Sequence, residues 1–201
     1  MNIASFIVYC IIVTFTPGPT NIAILSIANN CLLKQTFRYV LGAGSALTTL
    51  LIISVVFNSA LVGFIPKILL VMKVIGCTYM LYLAYQVSRM HVSNKNFQQT
   101  ANFVSGFIMQ FANPKVWIFT MTVIPSFIMP YYQSVTAYLA YALLVAVIAF
   151  CALTTWALFG TIFKRFLQKY QKAVNIILAL LLAYSAIEVS GIIELLKRGG
   201  V

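Results

Sequence analysis

Thr16-Pro17-Gly18-Pro19-Thr20-Asn21 stands in the middle of an apolar run that extends from about residue 3 to about residue 30. The run has the length of a membrane-spanning helix, for which about 20 apolar residues suffice. Its interruption has a specific chemistry. Proline carries no N–H and breaks a helix that it sits inside, yet it is favoured at the first position of a new helix. Thr and Asn are good caps for the position just before. Thr16-Pro17 therefore predicts the end of one half-helix and the start of another within a single span.

The same chemistry occurs once more, at Asn113-Pro114-Lys115, inside the apolar run 103–127. Both breaks lie near the middle of their spans, which puts them near the bilayer midplane. A helix N-terminus carries free N–H groups and a partial positive charge. Two such tips meeting from opposite sides predict a site for an anionic group such as a carboxylate. Lys115 adds a full charge there, and an ionisable residue in mid-membrane is a functional candidate by default.

The rest of the chain fits this frame. Of 201 residues, 62% are hydrophobic and only 7% charged, with a mean hydropathy of +1.00. A soluble domain of this length would hide less apolar surface and carry far more charge. Spans are expected at about 3–30, 38–60, 64–88, 103–127, 134–162 and 172–196. The breaks between them fall at Lys34 to Arg38, Pro66-Lys67, Arg89 to Asn102, Met129 to Gln133 and Lys164 to Lys172. No Lys or Arg precedes the first run and two prolines interrupt it, so it reads as a span and not as a cleaved signal.

Basic residues set orientation. With the N-terminus outside, the inner loops hold Lys34, Arg38, Arg89, Lys95, Lys164, Arg165, Lys169 and Lys172, and the outer side only Lys67, Lys197 and Arg198. Both termini are therefore expected outside a bacterial cytoplasmic membrane. The net charge of +11 is this topology signal and does not point to nucleic acid.

Three spans per half make any internal repeat inverted, a common transporter plan. The expected fold is an all-α integral membrane protein of six transmembrane helices. It forms one domain of two inverted three-helix repeats, about 1–90 and 101–198, with the first and fourth helices broken near the midplane.

The ordered motifs resemble the LysE/RhtB family of amino-acid exporters. Thr16-Pro17-Gly18-Pro19, with Asn21 close behind, resembles its first-helix signature. Gly42-Ala43-Gly44-Ser45 resembles its small-residue second helix, and Ile75-Gly76-Cys77-Thr78-Tyr79-Met80-Leu81-Tyr82-Leu83-Ala84 its third-helix Gly-x-x-Tyr-Leu motif. Asn113-Pro114-Lys115, with Pro125 further on, resembles its fourth-helix motif, and the likeness runs from about residue 5 to 190. Asn175 to Leu182 resembles the last helix of the cysteine/O-acetylserine efflux members. The resemblance implies export of a small amino acid or derivative driven by an ion gradient, with Pro17, Gly18, Pro19, Asn113, Pro114 and Lys115 at the core. One departure is plain: where many relatives carry an acid in the second helix, this chain has Thr48 and Thr49, and it has no Asp.

For a zwitterionic amino acid, the paired tips and Lys115 suit the carboxylate. The ammonium suits the carbonyls ending the first half-helices, around Phe15-Thr16 and Phe111-Ala112. Asn21, Gln110 and Asn113 add polar contacts. The expected substrate-binding set is thus Thr16, Pro17, Gly18, Pro19, Asn21, Gln110, Asn113, Pro114 and Lys115. The acids are Glu188 and Glu194. Glu188, at a depth similar to that of Lys73, is a candidate ion-pair partner for it and a candidate proton carrier for antiport. Glu194 reads as interfacial.

Blander expectations cover the remainder. Thr48, Thr49, Thr154 and Thr155 suit backbone back-bonding, and Gly42, Gly44 and Ala46 close helix approach. Tyr131, Tyr132 and Trp117 suit interface anchors or cavity walls, and His91 a solvated loop. Cys10, Cys31, Cys77 and Cys151 read as packing residues. No cofactor, metal or catalytic constellation is expected. The partners expected are an amino-acid substrate and membrane lipid, with a homo-oligomer left open. The rival functions are a membrane scaffold and a thiol-redox carrier on a related six-helix architecture. The second needs two cysteines able to meet near the breaks, where the sequence has none.

Overall fold

In the computed structural model, residues 3–88, 101–163 and 169–190 are described. Among them every regular element is helical: α1 (Ile3–Phe15), α2 (Pro19–Asn30), α3 (Leu33–Ser88), α4 (Phe103–Phe111), α5 (Pro114–Phe127), α6 (Val135–Ile162) and α7 (Gln171–Ser190).

Both expected breaks are present. Between α1 and α2 the axis turns by 53°, and the bent pair together has the length and apolarity of one span. Leu33–Val56 and Val135–Ile162 also qualify as spans, while Lys172–Tyr184 is a shorter apolar helix. Large apolar side chains such as Ile12, Leu41, Val56, Leu143 and Ile162 are exposed. Water would not tolerate that surface, and lipid does.

The helix ends follow from local chemistry. Asn102 caps α4 by accepting from the Ser105 N–H at 2.9 Å. Asn113 caps α5 by accepting from the Lys115 N–H at 3.1 Å, with Pro114 at the first helical position. Ser134 precedes α6 in extended conformation.

The restart of the first span differs from expectation. Thr16 is not a cap: its hydroxyl donates backward to the Ile12 carbonyl. The new helix begins at Pro19, with Gly18 as the capping residue and no side-chain cap bond. The Pro-Gly-Pro sequence offers two first-position prolines, and the chain uses the later one.

A second difference concerns Pro66-Lys67, where a break between spans is expected. Helical conformation runs through α3 without interruption. A proline inside a helix removes one N–H and kinks or breaks the rod. Tyr39, Val40 and Ala43 near its start share a core cluster with Leu83, Ala84 and Val87 near its end. A straight helix would put Ala43 and Leu83 about 60 Å apart. Both ends of α3 therefore pack on the same neighbours, α2 and α7 among them, and α3 is not one straight rod.

The core has two parts. One joins α2, both ends of α3, α4, α6 and α7 around Ile24, Tyr39 and Leu182. The other joins α1, α3, α5 and α6 around Phe6, Leu50, Ile124 and Val145. In the second, Phe6 meets Tyr141 edge-on at 5.7 Å and Tyr9 stacks on Phe127 at 4.9 Å.

Small residues set the tightest approach. A Cβ on Gly42 would lie 1.9 Å from the Phe103 carbonyl oxygen, and one on Gly106 would lie 2.1 Å from that of Tyr39. The two glycines let the backbones of α3 and α4 touch, as small residues do between membrane helices. At Gly44 the neighbour is the Phe150 ring, and Ala46 is buried.

The hydroxyls in these helices turn inward on their own backbone. Thr48 donates to Gly44 O at 2.9 Å, Thr49 to Ser45 O at 2.9 Å and Thr155 to Cys151 O at 2.8 Å. The side chains of Lys73 and Glu188, and all of His91 and Glu194, lie outside the described residues, and so does the expected ion pair.

Candidate functional site

The two breaks meet. Asn113, capping α5, donates from Nδ2 to the Thr20 hydroxyl in the first turn of α2 at 3.1 Å. Lys115, the second residue of α5, reaches the other way. Its Nζ donates to the Thr16 carbonyl at the end of α1, at 3.2 Å. Two contacts thus join segments more than ninety residues apart in sequence, and both involve residues of the predicted breaks.

A cavity of about 40 Å³ lies at this junction. Gly18, Asn21, Gln110, Asn113 and Lys115, all expected at the site, line it. Thr16 contributes only its carbonyl. Pro17, Pro19 and Pro114 shape the breaks and are not on the cavity wall. Sequence reasoning missed Thr20, Val13, Val116 and Phe119, which complete the lining. Thr20 stands inside the quoted hexapeptide. Phe119 lies four residues after Lys115, hence on the same helix face. That spacing was a signal available in the sequence.

Gly18 is extended, with φ −152°, a conformation open to any residue. What it supplies is room: a Cβ there would lie 3.4 Å from Lys115 Nζ, so any longer side chain would crowd the amine. The first turn of α2 has Pro19 followed by Thr20 and Asn21. The first amide to find an intrahelical acceptor is that of Ile22, on Gly18 O at 2.9 Å. The amides of Thr20 and Asn21 are therefore the polar tip of this helix.

The carbonyls expected to receive an ammonium are already in use. Asn21 Nδ2 donates to Thr14 O and Thr16 O, each at 3.0 Å. Trp156 Nε1 donates to Phe15 O at 3.3 Å. At the second break Trp117 Nε1 donates to Phe111 O at 2.6 Å. The reason is general: a helix end in a low-dielectric interior leaves orphan carbonyls that must find donors, and the chain provides its own. Trp117 is accordingly neither an interface anchor nor a cavity wall. It bridges α4 and α5 across the break, edge-on to Phe111 at 5.4 Å. Tyr131 is exposed, and the Tyr132 carbonyl accepts from the Tyr138 hydroxyl at 2.7 Å.

A wider cavity of about 230 Å³ lies beside Phe15, Thr155, Trp156 and Phe159. Aromatic rings and one hydroxyl line it, with no charged group, so it offers nothing to orient an ion. None of the four cysteines is in a disulfide: Cys10 and Cys31 are buried, Cys77 is half-buried and Cys151 exposed. None lines the cavity at the breaks. Cys77 Sγ donates to Ala186 O at 3.0 Å.

The sequence profile of a family described as LysE type translocator matches residues 11–190. A cysteine/O-acetylserine efflux protein of Salmonella choleraesuis (strain SC-B67) is 31% identical over 192 residues, 94% of this chain and 97% of that protein. The protein of the same description from Escherichia coli (strain K12) is 29% identical over 190 residues, 93% and 96% of the two chains. No solved structure matches the chain.

Proposed function

Because the chain belongs to the LysE type translocator family, we propose that it exports a small amino acid or amino-acid derivative across the bacterial cytoplasmic membrane by proton-driven antiport. The names of its relatives make cysteine and O-acetylserine the first compounds to test. The proposed arrangement is six spans in two inverted repeats with both termini outside. The two halves of α3 serve as the second and third spans, and α4 with α5 as the broken fourth.

One observation carries the reading: Lys115 crosses from one broken span to the end of the other, beside the open tip of α2. In lipid this places a single positive charge and two helix amides around one small cavity. A substrate carboxylate would take both, replacing the Thr16 carbonyl as the partner of Lys115. An apolar cavity that takes up benzene is about 150 Å³, whereas this one is about 40 Å³. Loading therefore requires α2 and α5 to separate, and the Asn113–Thr20 and Lys115–Thr16 contacts are the ones that must open. Glu188, on α7, is the proposed proton carrier. It is the acid that the sequence places deeper in the last span, Glu194 being at its interfacial end.

The test is protection of cells against toxic excess. Overexpression should raise tolerance to cysteine or O-acetylserine. Lys115→Ala should abolish that tolerance while the protein still reaches the membrane in normal amount. Full protection by Lys115→Ala would remove the lysine from transport, and no protection by the wild type against any amino acid would refute export.

A further inference from the structure

Gln110 lies one turn before the second break, on the cavity wall. The residue is only 3% exposed, and its carboxamide oxygen is buried without a hydrogen-bond partner. Its polar neighbours are differently placed. Asn113 spends its oxygen on the Lys115 N–H and its nitrogen on Thr20. Asn21 donates to two carbonyls of the first break. A buried acceptor left unpaired is costly and uncommon in native proteins. Here its residue lines the same cavity as Lys115.

Building on the export reading, we propose that Gln110 is a specificity-determining residue whose carboxamide oxygen accepts a hydrogen bond from the substrate's ammonium group. The site then selects compounds that carry a free amine as well as a carboxylate. The two polar features have separate tasks. Lys115 and the tip of α2 take the carboxylate, and Gln110 detects the amine. A neutral acceptor suits this place better than a carboxylate would. A carboxylate would pair with Lys115 in the empty carrier and compete with the substrate for it. A site whose buried oxygen needs a donor also discriminates strongly against an analogue that lacks one.

The experiment uses the full chain in proteoliposomes, under reductant, and follows counterflow of labelled L-cysteine. Unlabelled L-cysteine and 3-mercaptopropionate, the same molecule without its amine, are compared as inhibitors. For the wild type, 3-mercaptopropionate should inhibit at least about tenfold more weakly. Gln110→Met should bring the two inhibition constants to within about twofold, because an apolar wall has no preference for the amine. Gln110→Glu, which retains an acceptor, should keep the preference for cysteine. The ratio of constants is independent of how much protein is active, so partial misfolding does not affect it. If Gln110→Met is inactive, Gln110→Leu takes its place: a ratio within about twofold supports the role and a wild-type ratio overturns it. A wild-type ratio in Gln110→Met overturns it as well. Wild-type protein that transports cysteine but does not prefer it to 3-mercaptopropionate refutes the role of Gln110 and leaves export standing. Wild-type protein that transports no amino acid refutes both.

Discussion

Gly42→Ala adds one methyl group where the α3 and α4 backbones touch. The built Cβ lies 1.9 Å from the Phe103 carbonyl oxygen, 2.8 Å from the carbonyl carbon and 3.0 Å from the Phe107 nitrogen. All three neighbours are backbone, so no rotamer change relieves the clash. Reaching ordinary contact at 3.4 Å requires the helices to part by about 1.5 Å, the shortfall from 1.9 Å. Over-packing of a well-packed core costs about 1–3 kcal/mol, and a clash between two backbones belongs at the upper end. At roughly 2–4 °C per kcal/mol for a chain of this size, the melting temperature in detergent should fall by about 4–12 °C. Gly18→Ala is the internal comparison, since its Cβ would sit at 3.4 Å from the nearest atom, the amine of a flexible lysine. It should melt close to the wild type. Thermal unfolding followed by size-exclusion fluorescence measures both. If Gly42→Ala is no less stable than Gly18→Ala, the backbone contact between α3 and α4 is refuted.

Two further outcomes follow from the same geometry. Asn113→Ala removes the α5 cap and the bond to Thr20, and should cost about 1–2 kcal/mol and depress export; an unchanged melting temperature would show that neither bond forms. Replacement of Cys10, Cys31, Cys77 and Cys151 by alanine should preserve protection against toxic amino acid, because no cysteine lines the cavity; loss of protection with normal membrane content would revive the thiol-redox alternative.

Several parts of this architecture were legible in the residues themselves. An unbroken apolar run starting at Ser134 leaves little choice for α6, expected over 134–162 and found at Val135–Ile162. Asn113-Pro114 combines a cap with a fixed first-position φ, and the α4–α5 break falls there. Pro17-Gly18-Pro19 was less decisive. Either proline suits a helix start, and local sequence does not choose between them. The partners were not legible at all. Gly42 announces a close approach but does not say that Phe103 makes it. Lys115 announces a charge, but its acceptor is a carbonyl, and every residue has one. The orphan carbonyls at the two breaks looked available for a ligand because their donors depend on how the chain turns at each break, which brings Asn21 and Trp117 back on their own spans, and on tertiary packing, which brings Trp156. The expected division at Pro66-Lys67 rested on one proline and one lysine; α3 is helical throughout, yet its two ends share one core cluster, so the chain turns back between them.

The acceptor for Lys115 belongs to the main chain. Mutagenesis replaces what hangs from Cα and leaves that oxygen where it was. A genetic survey of position 16 would therefore report on a hydroxyl that merely folds back onto Ile12, and would rank the position as dispensable. The lysine alone would register, and the interaction would look like a charge acting by itself. An amide-to-ester exchange at the Thr16–Pro17 linkage, which weakens the carbonyl as an acceptor and necessarily opens the Pro17 ring, addresses the other partner.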